Sequence, residues 1–377
     1  MDLTIPKRDL LRLLSQVSRV SERKSTMPVL SNVLFQAEGA KLRLSATDLY
    51  LGVSGTVPAE IHATPSMAIP AKELLDRLKM MPDGLISLAM SDKHQVILKA
   101  GGSARRYTLR GLPGTDFPPL PRPAEGAPTL SLDAKVLGDL IAKTAFSVST
   151  DETRAHLNSA LFEWEGETVR MVTTDGHRLS KAEAKVSGAA SSQMLIPLKA
   201  IQELRRMCEE TSPEEAGKGR PITITRSESV AFFEAGGMTF STKLTDAQFP
   251  PYAQVIPKTS TKTVKAPRAA LADAIRAVMV AANSATLGVK LAIAKGVIVI
   301  TSESPESGDA SDEVAVEYTG SPVTIGFNAK YVLDALGALG TDDVTLGLTG
   351  DLDPMVVRPG GEQDGAEFLG VTMPCRI

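Results

Sequence analysis

Four landmarks recur in register three times along this chain, and that repeat limits the fold more than any single residue does. Each copy opens with a short strand and an amphipathic helix: LTIPKRDLLRLLSQVSRV from Leu3, LSLDAKVLGDLIAKTAFSV from Leu130 and KTVKAPRAALADAIRAVMVA from Lys262. A strand ending in a small polar turn follows, at Ser45-Ala46-Thr47-Asp48, Thr173-Thr174-Asp175-Gly176 and Thr301-Ser302-Glu303. Next comes a strand-to-helix junction at Ile69-Pro70-Ala71-Lys72, Ile196-Pro197-Leu198-Lys199 and Ile325-Gly326-Phe327-Asn328, spaced by 127 and 129 residues. Proline suits the first helical turn, where its missing N–H would be unpaired in any case. Last is a hairpin carrying a glycine pair, Gly101-Gly102, Gly236-Gly237 or Gly360-Gly361. These pairs are expected to supply the positive φ that tight hairpins need.

Copies of this length are domains, since stacked solenoid units are far shorter. The 377 residues are in any case too many for one ordinary core. Two proline-rich joints, PGTDFPPLPRPAEGAP at 113–128 and FPPYAQVIPKTSTKT at 249–263, place the borders at 1–125, 126–258 and 259–377. Such joints are semi-rigid. Segments such as VILKA, ARRYTL, VAFFEA and MTFSTKL have strand composition and partial alternation. The expectation is an α+β module used three times, each with two helices and a set of strands.

Composition excludes more than it identifies. The net charge of -3 does not mark a nucleic-acid binder, although an acidic total can hide a local basic surface. Aromatics at 4% are too few for base-stacking platforms. Cys208 and Cys375 cannot build a secreted disulfide framework and read as free thiols of a reducing cytoplasm. Four histidines lack metal-ligand spacing, so no metal or cofactor is expected. The opening MDLTIPKRDLLRLL reaches charge too soon for a signal peptide, and no apolar run is long enough for a membrane span. Nucleotide-binding glycine motifs and the nucleophile elbow are missing. Asp175, His177 and Ser180 lie close together, but side chains at i, i+2 and i+5 of a strand do not converge into a triad. Asp175-Gly176 reads as a turn, and a hydrolase around His177 has no nucleophile motif to support it.

Positive charge falls on the helices. In the first, Leu10, Leu14 and Val17 form the core stripe, with Leu11 and Leu13 beside them. Arg8, Arg12 and Arg19 share another face, and Arg23 continues it. The second helix of copy one carries Lys72 and Lys79, with Asp76 between them. Copy two offers Lys135 and Lys143, then Lys199, Arg205 and Arg206; copy three offers Arg268, Arg276 and Lys330. On any one helix such a run is ordinary solvated salt-bridge patterning. Repeated in three similar domains, it would put basic faces on one common surface that meets duplex phosphates without reading bases. An interaction scaffold unrelated to DNA, built on the same repeat, would lack that surface.

The landmarks also carry a family resemblance over the whole chain. Met27-Pro28-Val29-Leu30-Ser31-Asn32-Val33-Leu34, Ala46-Thr47-Asp48-Leu49, His156-Leu157-Asn158, Thr174-Asp175-Gly176-His177-Arg178-Leu179 and the ending Met373-Pro374-Cys375-Arg376-Ile377 are specific in combination. Together they resemble the bacterial DNA polymerase III beta subunits, the sliding clamps. The resemblance implies the DNA clamp fold: three α+β domains, each with two helices packed on antiparallel sheets. Two chains would close head to tail into a ring, with helices lining the hole and strands outside. It implies a cytoplasmic, nucleoid-associated, non-catalytic processivity factor that encircles duplex DNA without sequence preference. Its partners would be the replicative polymerase, the clamp loader and repair proteins, held through short linear peptides.

By position, Tyr107 and Leu109 in the first domain of one chain would meet Met279 and Val280 in the third domain of the other chain at ring closure. The peptide pocket would use Leu157, Thr174, Gly176, His177, Arg178, Leu179, Pro250, Val255, Leu352, Met373, Pro374, Cys375 and Arg376. Lys24 keeps a basic loop position, adding to the DNA contacts expected of Arg8, Arg12, Arg23, Lys72, Lys79, Lys199, Arg205 and Arg206. The chain departs from its relatives at Cys375, where many carry Met, at Gln254, where some carry Arg, and at Ala155-His156, which replaces a tyrosine pair that contacts DNA in some members.

Overall fold

Among the described residues each α-helix follows directly on a strand, as the repeat requires. The computed structural model describes residues 2–21, 26–64, 66–91, 94–209, 219–305 and 307–376. The first copy contains β1 (Asp2–Pro6), α1 (Lys7–Val17), β2 (Asn32–Glu38), β3 (Lys41–Thr47), β4 (Leu51–Pro58) and β5 (Glu60–Ala63). It continues with β6 (Met67–Pro70), α2 (Ala71–Met80), β7 (Leu85–Met90), β8 (Gln95–Ala100), β9 (Arg106–Arg110) and β10 (Leu112–Pro113). The second contains β11 (Thr129–Asp133), α3 (Ala134–Thr144), β12 (Ser159–Thr174), β13 (Arg178–Pro197) and α4 (Leu198–Glu209). It ends in β14 (Pro221–Ser227), β15 (Val230–Ala235) and β16 (Met238–Lys243). The third contains β17 (Lys262–Pro267), α5 (Arg268–Met279), β18 (Gly288–Ala294), β19 (Val297–Ser304) and β20 (Gly308–Ala315). It closes with β21 (Val323–Asn328), α6 (Ala329–Gly337), β22 (Asp343–Leu348), β23 (Met355–Pro359) and β24 (Glu367–Thr372).

The contacts group the chain into two compact units, Met1–Ser131 with Arg220–Lys243, and Leu132–Gly219 with Leu244–Ile377. In the first unit, α1 packs on α2 and on β3 and β4. Leu10, Leu13, Leu14 and Val17 are its buried face, each side chain contributing roughly 2 kcal/mol of transfer free energy. One sheet runs β5-β1-β7-β8-β9 and the other β10-β6-β2-β3-β4-β16-β15-β14-β11. In the second unit α3 packs on α4 and α5 on α6. Its sheets run β12-β13-β24-β23-β22-β17 and β20-β19-β18-β21.

Strands therefore pair across the borders of the copies. Met238 to Thr242 of β16 lie antiparallel to Gly55 to Leu51 of β4. Arg178 to Glu183 of β13 lie antiparallel to Thr372 to Glu367 of β24. The phenylalanines of the two Phe-Pro-Pro joints are anchored in apolar clusters, the second of them beside the β13–β24 seam. Phe117 packs with Leu34 and Ala68, and Phe249 packs against Leu161, Leu179 and Val371.

Three details differ from the sequence expectation. The prolines stand one residue before the helix, Pro6, Pro70 and Pro267 being N-caps without a side-chain bond. Asp133 and Asn328 cap α3 and α6 by accepting from Lys135 N and from Lys330 and Tyr331 N. Thr301-Ser302-Glu303 lies inside β19 and is not a turn, because β19 runs on to pair as far as Ser304 with Gly308. The glycine pairs have two different causes. Gly102, Gly236 and Gly237 do take positive φ, at 72, 56 and 76°. Gly360 does not; it is required because a Cβ there would lie 2.5 Å from Asp343 Cβ and 2.8 Å from its carbonyl oxygen.

Candidate functional site

The turn between β12 and β13 is built almost wholly from its own side chains. Asp175 Oδ1 accepts the N–H groups of His177 (2.9 Å) and Arg178 (3.1 Å). Thr174 Oγ1 donates to Arg178 O at 2.6 Å and accepts from Gly176 N at 3.1 Å. Gly176 sits at φ 94°, a conformation that side chains other than glycine rarely adopt.

Beside this turn, within the second unit, lies a cavity of about 250 Å³. Eight of the expected pocket residues line it: Leu157, Thr174, Gly176, Arg178, Leu179, Pro250, Val255 and Met373. Arg154, His156, Tyr252 and Val371 complete the wall. These four were not expected in the pocket. Arg154 and His156 lie in an irregular loop and Tyr252 in a short 3-10 turn, where periodicity carries no signal. Val371 faces the cavity only because β24 pairs with β13.

Five expected pocket residues stand off that wall. The His177 ring stacks on Tyr331, with centroids 6.5 Å apart and planes 18° from parallel. Leu352 is 70% exposed between β22 and β23. Pro374, Cys375 and Arg376 follow Met373 past the end of β24. The tail stays tied there, Met373 N donating to His177 O and Cys375 N to Gly326 O, both at 2.9 Å. Cys375 is half-buried, and burial pushes its thiol above the usual range.

Arg178 organises the polar side of the cavity. Its Nε donates to Asp175 Oδ2 at 2.9 Å, its Nη1 to Asp334 Oδ2 at 2.6 Å, and its Nη2 to Phe146 O. The guanidinium also lies 4.4 Å from the centroid of Tyr331. Tyr252 turns its hydroxyl away, donating to Glu163 Oε1 at 2.8 Å. Burial first, then that bond, pushes the phenol up to about 12. A triad does not form, because Asp175 holds Arg178 while Ser180 Oγ, buried, pairs with Ser147 Oγ at 2.7 Å.

Comparison with known proteins decides what this arrangement belongs to. Family models of the DNA polymerase III beta subunit match three successive segments: the N-terminal domain at residues 1–121, the central domain at 131–251 and the C-terminal domain at 253–376. The chain belongs to the DNA polymerase III beta subunit family. A beta sliding clamp of Pseudomonas putida is 36% identical, with 100% of both chains covered. The sliding clamp of Pseudomonas aeruginosa, solved bound to griselimycin, superposes with a TM-score of 0.91 at 33% identity over 100% of both chains. That of Caulobacter crescentus, solved with a polyethylene glycol in its putative beta-motif tethering region, gives 0.91 at 34%, again over 100% of both.

In this beta-subunit fold the expected DNA-contacting residues divide by their partners. Arg8 and Arg12 are exposed on α1 and line a shallow hollow of about 740 Å³ with Lys7, Leu11 and Leu85. Among the described residues no carboxylate is within ion-pair distance of either. Lys72 is paired with Asp76 at 2.7 Å, Arg205 with Glu209 at 2.8 Å, and Arg206 with Glu203. Lys79 and Lys199 are exposed on α2 and α4. Arg23 and Lys24 lie outside the described residues. Lys143 is no part of a basic surface: it is 5% exposed, giving its ammonium to Asp139 Oδ2 (2.8 Å) and Ala366 O (2.6 Å). The helix turns it inward beside Leu140 and Thr144.

Of the four residues expected at ring closure, Leu109 is only 2% exposed, in its own sheet opposite Val96. Alternation along β9 puts Tyr107 and Leu109 on the same face, away from exposed Arg106, Thr108 and Arg110; Leu109 is buried there and Tyr107, nearer the start of the strand, is half-buried. Met279 packs against the core of the third domain, and Val280 beyond it is 81% exposed.

Proposed function

We propose that this chain is a sliding clamp. Two copies close head to tail around duplex DNA, basic helix faces turned to the phosphates, and the ring keeps the replicative polymerase on its template. Topology does the holding, so weak, salt-screened contacts suffice and sliding is free. In this reading the domains run 1–125, 126–258 and 259–377, the chain catalyses nothing, and it works in the cytoplasm at the nucleoid. The cavity beside the 175–177 turn receives short peptide segments of the polymerase, the clamp loader and repair proteins. The observation that carries the proposal is this cavity, apolar over most of its wall and set against a tied C-terminal tail, in a chain whose three segments all match beta-subunit domains.

Ring closure has support at two sheet edges. β9 is the outer strand of one sheet and carries exposed Arg106 and Arg110, with Arg105 just before it. β20 is the outer strand of another and carries exposed Asp309, Asp312 and Glu313. Unpaired strand edges of opposite charge suit pairing between copies, with Tyr107 and Val280 as apolar neighbours. The deciding experiment loads the protein on circular DNA and then linearises it. Retention on circles with rapid loss after cutting is expected; equal loss from both forms overturns the proposal.

A further inference from the structure

One wall of the cavity comes from the second proline-rich joint, and that wall has few ties. Residues 249–258 supply Pro250, Tyr252 and Val255 to it. Among the described residues their backbone bonds are internal: Tyr252 N to Pro250 O, Gln254 N to Pro251 O and Val255 N to Tyr252 O. Phe249, Tyr252 and Ile256 pack in the cluster of Leu161, Leu179 and Val371, an attachment that is apolar and non-directional. Among the described residues a single hydrogen bond joins this segment to another element, Tyr252 Oη donating to Glu163 Oε1 at 2.8 Å.

That acceptor is itself held. Glu163 Oε1 also takes Arg170 Nη1 at 3.0 Å, and both side chains are mostly buried. Arg170 turns its Nε to Glu183 Oε2, 3.4 Å away, which Lys181 Nζ meets at 3.0 Å. Glu163 and Arg170 belong to β12, on either side of Gly166, where the strand shifts register. The carboxylate is thus fixed on the sheet, its charge balanced and one oxygen aimed at the phenol.

We propose that Glu163 is a positioning residue for the cavity: backed by Arg170, it latches residues 249–258 to the sheet through Tyr252 and holds that wall in its binding shape. Neither Glu163 nor Arg170 lines the cavity. This rests on the peptide-receiving reading above and adds how the site is kept pre-organised. With the latch gone the wall keeps only its apolar packing, and a bound segment must order it again. A partly buried bond to a charged acceptor makes that worth about three- to tenfold in affinity.

The test uses the full chain and fluorescein-labelled, C-amidated hexapeptides with one leucine and one phenylalanine placed at every pair of positions among serines. The tightest binder is carried forward. In anisotropy titrations Tyr252→Phe and Glu163→Ala should each weaken it about three- to tenfold. The double variant should be no weaker than either alone. Glu163→Gln, whose amide oxygen still accepts from the phenol, should recover most of the affinity. Alkaline absorbance titration should show the Tyr252 phenol moved down in Glu163→Ala. Hydrogen exchange should quicken at 252–256 in both single variants and not across the sheet, which separates a lost latch from a general loss of stability. Wild-type affinity in both, with binding lost in Val255→Glu, overturns the inference and leaves the peptide-receiving reading standing. Losses that add in the double variant also overturn it, since the two residues then act apart. Binding by none of the peptides overturns both.

Discussion

The Arg178 guanidinium, on the second domain, donates to the Asp334 carboxylate, on the third, at 2.6 Å. The same guanidinium holds Asp175 within its own turn, so one side chain shapes the cavity wall and joins the two domains. Arg178→Ala should cost about 3 kcal/mol, because the mostly buried Asp175 carboxylate loses its ion-pair partner and Asp334 is left with Lys330 alone. Arg178→Lys should recover only part of this, since an ammonium cannot bridge both acids as a planar fork does. Urea unfolding of the three proteins checks this; an alanine variant within about 0.5 kcal/mol of wild type would contradict it.

Lys143 ties α3 to the chain at Ala366, and Asp139 Oδ2 also accepts Ala366 N at 2.6 Å. Lys143→Ala should destabilise by about 3 kcal/mol, leaving Asp139 uncompensated, and Lys143→Met by less. Hydrogen exchange should quicken over 360–366 in both. Unchanged protection there would mean the tie is not what orders that loop.

The third glycine pair separates two reasons for glycine. Gly360→Ala drives a methyl against the Asp343 backbone and should cost about 1–3 kcal/mol. At Gly361 nothing lies within 4 Å, so Gly361→Ala should be within about 0.5 kcal/mol of wild type. Equal melting temperatures for the two variants would refute the close-approach explanation.

Tyr252 gives an alkaline signature. Its phenol is raised to about 12 in the folded chain, from 10.0. The folded state thus holds that proton more tightly, and the stability linked to it is complete below pH 10 and lost as pH rises through 12. Tyr252→Phe should remove this component, flattening the loss of stability over that window. Absorbance titration at alkaline pH should show one late phenol fewer in the variant than in the wild type, the raised phenol of Tyr331 remaining in both.

The basic residues should not contribute equally to holding DNA. Arg8 and Arg12 have no acid partner among the described residues, while Lys72, Arg205 and Arg206 are each paired with a carboxylate on their own helix. Replacing Arg8 and Arg12 by Gln should lower the salt dependence of binding to preloaded circles by up to about 2 in slope. Lys72→Gln should have a smaller effect. The measurement is dwell time against salt concentration, and a larger effect at Lys72 would reverse the ranking.

Much of this was legible from local pattern. The strand–helix openings, the core face of α1 and the junctions at Pro70 and Pro197 all depend on residues a few positions apart. What the sequence concealed depends on pairing at long range. Nothing near Met238 announces Gly55 as its neighbour, nor anything near Leu369 its neighbour Lys181. Arg154, His156, Tyr252 and Val371 reach the cavity wall through such pairing and through irregular loops. Lys143 misled for a related reason: a lysine on a helix reads as surface until the chain more than two hundred positions later supplies its carbonyl partner.

The ladders at β4–β16 and β13–β24 have a mechanical consequence. Parting either seam requires a run of five or six consecutive residue pairs to give way together, so each behaves as a weld where a flexible hinge might have been used. Compliance within each unit must then come from helices shifting on their sheets, and a strain imposed at one end of a ladder is passed along it undamped.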